Sequence, residues 1–115
     1  MCVIILKKSF EFALSIIDYC EKLEVERKFV ISNQLLKSGT SIGANVHEAQ
    51  FAESKVDFIH KLKIAEKETN ETEYWLQLCK SSKSYLFDEE LLNKVIEIKK
   101  IISKIIISTK TRLNN

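Results

Sequence analysis

The sequence contains no proline and only two glycines in 115 residues. A chain of many short strands turns often and needs such residues at its turns, so this scarcity argues against an all-β fold. Gly39 and Gly43 are the two glycines, one helical turn apart. A dinucleotide fold needs a glycine-rich first turn and a longer chain, and is excluded. A phosphate loop fails too, because no Gly-Lys-Ser/Thr follows either glycine. No apolar run approaches the length of a membrane span. The apolar start at residues 2–6 is shorter than a signal-peptide core, and its lysines follow it instead of preceding it. The three cysteines, Cys2, Cys20 and Cys79, lie far apart with no CxxC or zinc spacing. Cys20 and Cys79 read as small buried hydrophobes, which suits a reducing cytoplasm.

What remains is an apolar, charge-rich chain of one domain, residues 1–115. With 45% hydrophobic and 30% charged residues it is too apolar to be disordered. The net charge is +2, too mild to imply nucleic-acid binding. Its distribution is uneven. From Lys94 onward, six basic residues (Lys94, Lys99, Lys100, Lys104, Lys110 and Arg112) stand against one acidic residue, Glu97, a net of +5. The preceding 93 residues hold twelve basic and fifteen acidic residues, a net of −3. Such an end is a candidate surface for phosphate groups. The plainer reading is that its lysines solvate one helix face and complement the helix dipole.

The spacing predicts four helices. The first runs from about Ile5 to Leu23 and carries two adjacent apolar stripes. Phe10, Ala13, Leu14, Ile17 and Cys20 form one, and Phe12, Ile16, Tyr19 and Leu23 form the other. Together they are wider than one neighbour requires. The charged run Glu24–Lys28 reads as a turn, and Ser32 as the cap of a second helix to about Gln50, although residues 29–31 are compatible with helix already. Gly39 and Gly43 give this helix a small-residue face for close packing; each costs about 1 kcal/mol relative to alanine in a helix.

Ser54 reads as the cap of the longest helix, to about Ser82, with Asp57 at its third position. Phe58, Leu62, Ala65, Thr69, Thr72, Leu76 and Cys79 alternate steps of four and three, the signature of a bundle seam. Asp88 opens a fourth helix. Between Leu91 and Ile107, ten of seventeen residues are Leu, Ile or Val, more than a bundle monomer needs on one helix. That surplus predicts burial against another subunit. The architecture expected is all-α: an antiparallel up-down four-helix bundle assembled into a homo-oligomer.

Candidate chemistry is sparse. A di-iron bundle needs two Glu-x-x-His pairs and two further carboxylates. The sequence offers one Asp57-x-x-His60, no second copy, and a His47-Glu48 pair at the wrong spacing. No metal, cofactor, catalytic residue or small-molecule substrate is expected. Ser38, Ser41 and Ser54 read as helix or cap residues, with no histidine at a fixed register. Glu68 and Glu71 are a paired-carboxylate candidate for acid–base work. They also fit a structural reading, in which they face Ser41, Asn45 and Glu48 in one buried polar cluster that fixes helix register. Tyr74 and Trp75 read as core or interface anchors more readily than as base-stacking residues.

The run Leu35-Leu36-Lys37-Ser38-Gly39-Thr40-Ser41-Ile42-Gly43-Ala44-Asn45-Val46-His47-Glu48-Ala49 resembles the bacterial four-helix bundle proteins, also called 23S rRNA intervening-sequence proteins. The resemblance continues through Ser54, Asp57-Phe58-Ile59, Lys61-Leu62, Ile64-Ala65 and Lys67-Glu68 to Glu71-Thr72-Glu73-Tyr74-Trp75-Leu76, and includes Lys8-Ser9-Phe10-Glu11-Phe12-Ala13-Leu14. It implies a left-handed antiparallel four-helix bundle in a ring-shaped homopentamer. The family name reflects the location of some of its genes inside 23S rRNA genes and establishes no activity. A more distant likeness is to the accessory proteins of diversity-generating retroelements, basic pentamers that bind nucleic acid and a reverse transcriptase. This chain departs from them in its near-neutral charge.

The function expected is therefore that of a non-enzymatic homo-oligomeric scaffold or adaptor, a pentamer as the resemblance implies, that contacts RNA or DNA through its basic C-terminal helix. The alternative is a protein-interaction module for a partner encoded nearby, without nucleic-acid binding.

Overall fold

The computed structural model describes residues 2–114, with side chains from 3 to 113. It contains four helices: α1 (Cys2–Val25), α2 (Phe29–Ala49), α3 (Lys55–Ser81) and α4 (Glu89–Asn114), and no strand among the described residues. Cross-helix pairs give their directions. Ser9 and Ile16 of α1 lie against Gly43 and Gly39 of α2. Ser38 and Glu48 of α2 bond Thr72 and Lys61 of α3. Glu66, Glu73 and Lys80 of α3 bond Ser103, Lys99 and Glu89 of α4. Lys8 of α1 bonds Glu97 of α4, while Tyr19 reaches Leu86 just before it. In each series a rising number meets a falling one, so neighbouring helices run antiparallel and α4 closes back onto α1. The extents are 51 × 22 × 20 Å.

Each helix supplies its 3–4 stripe to one core. Phe12, Ile16 and Leu23 meet Leu35, Ile42 and Val46, then Leu62 and Leu76, then Val95, Ile98 and Ile102, all essentially inaccessible to water. Burying each such side chain contributes about 1.5–3 kcal/mol. The α3 seam holds from Leu62 to Cys79; Phe58 is half-buried and its neighbour Ile59 takes the buried position. Thr69 and Thr72 are buried at the centre of that seam. Thr69 donates to the Glu66 carbonyl oxygen at 2.6 Å and Thr72 to Ser38 Oγ at 2.9 Å.

The helix ends follow local chemistry, with one departure from the sequence reading. Helix α2 begins at Phe29, and Ser32 is not its cap. Ser32 is buried inside the helix and donates to the Cys20 carbonyl oxygen at 3.2 Å, while the Cys20 thiol donates to the Ser32 carbonyl oxygen. The preceding turn closes α1 by a Schellman arrangement. Lys28 N–H reaches the Leu23 carbonyl at 2.8 Å, Arg27 N–H reaches the Glu24 carbonyl at 2.9 Å, and Arg27 adopts φ 62°. Ser54 caps α3 by accepting the Asp57 N–H at 3.1 Å. Asp88 accepts the Glu90 N–H at 3.0 Å at the start of α4.

The broad faces of α1 and α4 fare differently from one another. Of the ten apolar residues of α4 between Leu91 and Ile107, seven are buried within the chain; Ile96 and Ile101 are half-buried and Ile107 is 64% exposed. Helices α1 and α3 flank α4 on two sides and absorb most of its surplus. On α1 the two stripes separate. Phe12, Ile16, Tyr19 and Leu23 go inside, whereas Phe10, Leu14 and Ile17 remain 65%, 50% and 39% exposed.

Candidate functional site

The basic end of the chain is distributed over three environments. Lys99 lies half-buried against Glu73 of α3 at 2.7 Å, and Lys94 pairs with Glu90 of its own helix at 3.4 Å. Both charges are thus met inside the chain. Lys100 and Lys104 stand one turn apart on the exposed outer face of α4 and pair with no carboxylate among the described residues. Lys110 is exposed near the bundle end in contact with Lys63 of α3, whose ammonium holds Lys110 below the ordinary lysine value; Glu66 offsets this in part. Arg112 donates to Thr109 Oγ1 at 3.5 Å. The six residues therefore do not form one continuous strip. Lys63 joins the basic end only through the α3–α4 packing.

The outer face of α4 borders an open space of about 680 Å³ lined by that helix alone, where Ile96, Ile101 and Ile107 alternate with Glu97, Lys99, Lys100 and Lys104. On the other side of the molecule a second groove of about 430 Å³ runs between α1 and α2, lined by Leu6, Phe10, Ala13, Thr40, Gly43, Ala44 and His47. Its floor is low because Gly43 lies against the Ser9 backbone: a Cβ there would stand 3.2 Å from the Ser9 carbonyl oxygen. His47 is exposed and stacks edge-on against Phe51, ring centroids 5.4 Å apart. Phe10 lines this groove, and Leu14 and Ile17 continue its exposed apolar row along α1. Its signal in the sequence was the doubled apolar stripe of α1, which did not say which stripe stays outside.

The residues read as one polar cluster do not converge: Ser41, Asn45 and Glu71 bond within their own helices, and Glu48 pairs with a lysine of α3. Ser41 donates to the Lys37 carbonyl oxygen at 2.6 Å, and Asn45 donates to the Ser41 carbonyl oxygen at 2.8 Å. Glu48 is exposed and pairs with Lys61 at 3.3 Å. Glu71 accepts from Trp75 Nε1 at 3.3 Å. Glu68 is half-buried; loss of water and then the neighbouring Glu71 push its carboxyl above the ordinary value, against Lys37 and Lys67. The buried polar bridge between α2 and α3 is instead Ser38–Thr72, where two small side chains allow the hydroxyls to meet.

The remaining reactive groups are committed to packing. Tyr19 is buried, its hydroxyl donates to the Leu86 carbonyl oxygen, and burial followed by Cys79 raises it far above a normal phenol. Burial pushes the Cys20 thiol up to about 11 and raises Cys79 as well. Neither supplies a thiolate near neutral pH. Among the described residues, no three His, Cys, Asp or Glu side chains converge as a metal site. Asp57 serves the α3 start, accepting the Glu53 N–H at 3.3 Å, and His60 is exposed. No helix among the described residues is long and apolar enough to cross a membrane.

These surfaces belong to a chain with identifiable relatives. The profile of the 23S rRNA-intervening sequence proteins matches residues 2–107. Among solved structures, the chain is similar to a protein of unknown function from the S23 ribosomal protein family of Bacteroides thetaiotaomicron VPI-5482. The two share 46% identity with a TM-score of 0.86, over 91% of this chain and 96% of the other. No curated protein matches it.

Proposed function

This chain belongs to the 23S rRNA-intervening sequence protein family, and on that premise we propose that it is a non-enzymatic, cytoplasmic homo-oligomeric scaffold, a ring-shaped pentamer, with a secondary capacity to contact RNA or DNA. The observation that carries the assembly is the apolar row on α1. Phe10 and Leu14 are 65% and 50% exposed in the single chain, and with Ile17 they make a contiguous strip. Scattered exposed hydrophobics need no explanation, but a contiguous strip beside an apolar groove favours a protein surface over water. The pentameric count rests on family likeness.

The nucleic-acid clause is supported by Lys100, Lys104, Lys110 and Arg112, none of which forms an ion pair among the described residues. The non-enzymatic clause is supported by the use of Ser41, Asn45 and Glu71 within their own helices, by the pairing of Glu48 with Lys61, and by the raised, buried thiols.

The test is the solution mass by light scattering coupled to size exclusion, followed by binding of a structured RNA at low salt. A mass near five subunits is the expected result, and a clean monomer overturns the scaffold. RNA binding, if present, weakens with salt at a log–log slope of about −0.7 to −0.9 per phosphate contacted. Lys110→Gln and Arg112→Gln weaken it, while Lys94→Gln and Lys99→Gln, already matched by Glu90 and Glu73, change it little. No detectable binding at low salt removes the clause and favours a protein partner.

A further inference from the structure

Between α3 and α4 the chain crosses one end of the bundle as residues 82–88, and this connection is lightly fastened above a fully buried thiol. We propose that it is a strap latched on the Tyr19 hydroxyl, which opens while the four helices stay folded and so controls access to the Cys79 thiol. This goes beyond the scaffold reading above and does not depend on it. The Leu86 carbonyl oxygen accepts from Tyr19, and among the described residues this is the one hydrogen bond that ties residues 83–87 to a helix. The rest of the hold is side-chain packing. Tyr85 and Phe87 are half-buried against the core, with Lys28 over the Tyr85 ring at 5.1 Å and Lys80 over the Phe87 ring at 5.8 Å. Lys83, Ser84 and Leu86 are exposed. A segment held by one hydrogen bond and half-buried rings opens at less cost than a helix packed on the core.

The latch and the thiol meet at one group. The Tyr19 hydroxyl that donates to Leu86 also lies beside the Cys79 thiol. Exposure falls from 44% at Leu86 to 3% at Tyr19 and 0% at Cys79, which orders the three from the outside inward. A cleft of about 380 Å³ runs along the edge of the strap, walled by Ser15, Asp18, Tyr19 and Lys22 of α1 and by residues 86–89. Water therefore stands beside the latch and can replace the Tyr19 hydroxyl on the Leu86 carbonyl, so the bond contributes only part of its intrinsic strength. No disulfide removes the thiol in the closed chain. The other buried cysteine, Cys20, is on α1, and no Cα of α1 comes within 8 Å of a Cα of α3, which is beyond the span of a disulfide. Cys79 is thus a free thiol whose reaction with any reagent waits on opening. Once the strap lifts, water returns and the burial that raises the thiol is relieved.

The experiment is alkylation of the full-length chain by iodoacetamide, with Cys79 and Cys20 read separately by peptide mass mapping. Below the urea unfolding transition, Cys79 of the unaltered chain is expected to react at a rate that hardly changes with urea, because lifting the strap exposes little surface. Tyr19→Phe keeps the ring and deletes the hydroxyl. It is expected to speed Cys79 labelling about two- to tenfold, the weight of one hydrogen bond in competition with water. Cys20, whose thiol bonds Ser32 of α2, is expected to keep its rate. If Tyr19→Phe does not unfold cooperatively, Tyr85→Ala, which loosens the strap at a half-buried ring, takes its place with the same expectation. Ser38→Ala is the control: it weakens the α2–α3 packing at mid-bundle, lowers the urea midpoint and leaves Cys79 labelling unchanged. The proposal falls if the strap variant labels Cys79 at the unaltered rate, or if Cys20 and Cys79 accelerate together. It also falls if Cys79 labelling climbs with urea and with Ser38→Ala, which makes global unfolding the route to the thiol.

Discussion

Gly39 of α2 lies so close under Ile16 of α1 that a Cβ at position 39 would stand 2.9 Å from both Ile16 Cγ1 and Ile16 Cγ2. Ile16 is fully buried and β-branched, so it has no free rotamer into which to retreat. Gly39→Ala gains about 1 kcal/mol of helix propensity and incurs about 1–3 kcal/mol of overpacking. The expected net is a loss of stability in urea denaturation. In an Ile16→Ala background the sign reverses, and adding Gly39→Ala stabilises by up to about 1 kcal/mol. A stabilising Gly39→Ala in the native background contradicts the close approach.

Ser38 and Thr72 present the opposite case, a contact made by polar groups with nowhere else to turn. Both are buried, and their hydroxyls meet at 2.9 Å. Ser38→Ala or Thr72→Val alone is expected to cost about 1–3 kcal/mol, because the surviving hydroxyl loses its cross-helix partner. The double variant is expected to cost less than the sum of the two, since it removes both polar groups together. Simple additivity in a double-mutant cycle would sink this account.

Glu68 makes stability depend on pH in a direction unlike that of most surface carboxylates. Burial and Glu71 raise its pKa in the folded chain above the unfolded value. Folding therefore favours the protonated form. Its favourable contribution is complete below the ordinary glutamate range and is lost as pH rises through the raised folded value. Glu68→Gln is expected to stabilise the chain at pH 7, and the advantage is expected to shrink as pH falls toward 4. Denaturation midpoints of the two proteins at both pH values check this, and a gap that widens on acidification refutes it.

Arg27 carries the Schellman turn with φ 62°, a conformation that costs a residue with a Cβ about 1–2 kcal/mol. Arg27→Gly removes that strain at an exposed position and is expected to raise stability by about 1 kcal/mol in thermal or urea unfolding. Lower stability would mean that the arginine side chain contributes more than its backbone costs.

Helix α3 was the most legible element. From Leu62 to Cys79 its buried residues, two of them threonines, follow steps of three and four, and only one side of a helix satisfies that spacing. Its N-terminus was legible through Ser54, because a cap is a contact between residues three apart. The cap of α2 was misplaced at Ser32 for a matching reason, although residues 29–31 were compatible with helix and are helical. Its first turn follows a left-handed arginine where such turns usually carry glycine, and the expected cap Ser32 satisfies its hydroxyl on another helix. The polar residues Ser41, Asn45, Glu48, Glu68 and Glu71 were visible as a set, but whether side chains meet across helices depends on rotation angles finer than a period of 3.6 resolves.

The choice of four helices, their antiparallel order and the identity of most core residues follow from composition and periodicity, which act over a few neighbouring residues. The tertiary packing decided the rest. It sent one stripe of α1 inward and left Phe10, Leu14 and Ile17 outside. It buried most of the apolar surplus of α4 within the chain, and it neutralised Lys99 on Glu73 while leaving Lys100 and Lys104 free. Those outcomes turn on how four cylinders are rotated against one another. A helix reports its apolar arc through its own residues, but which part of that arc a neighbour covers is a property of the neighbour.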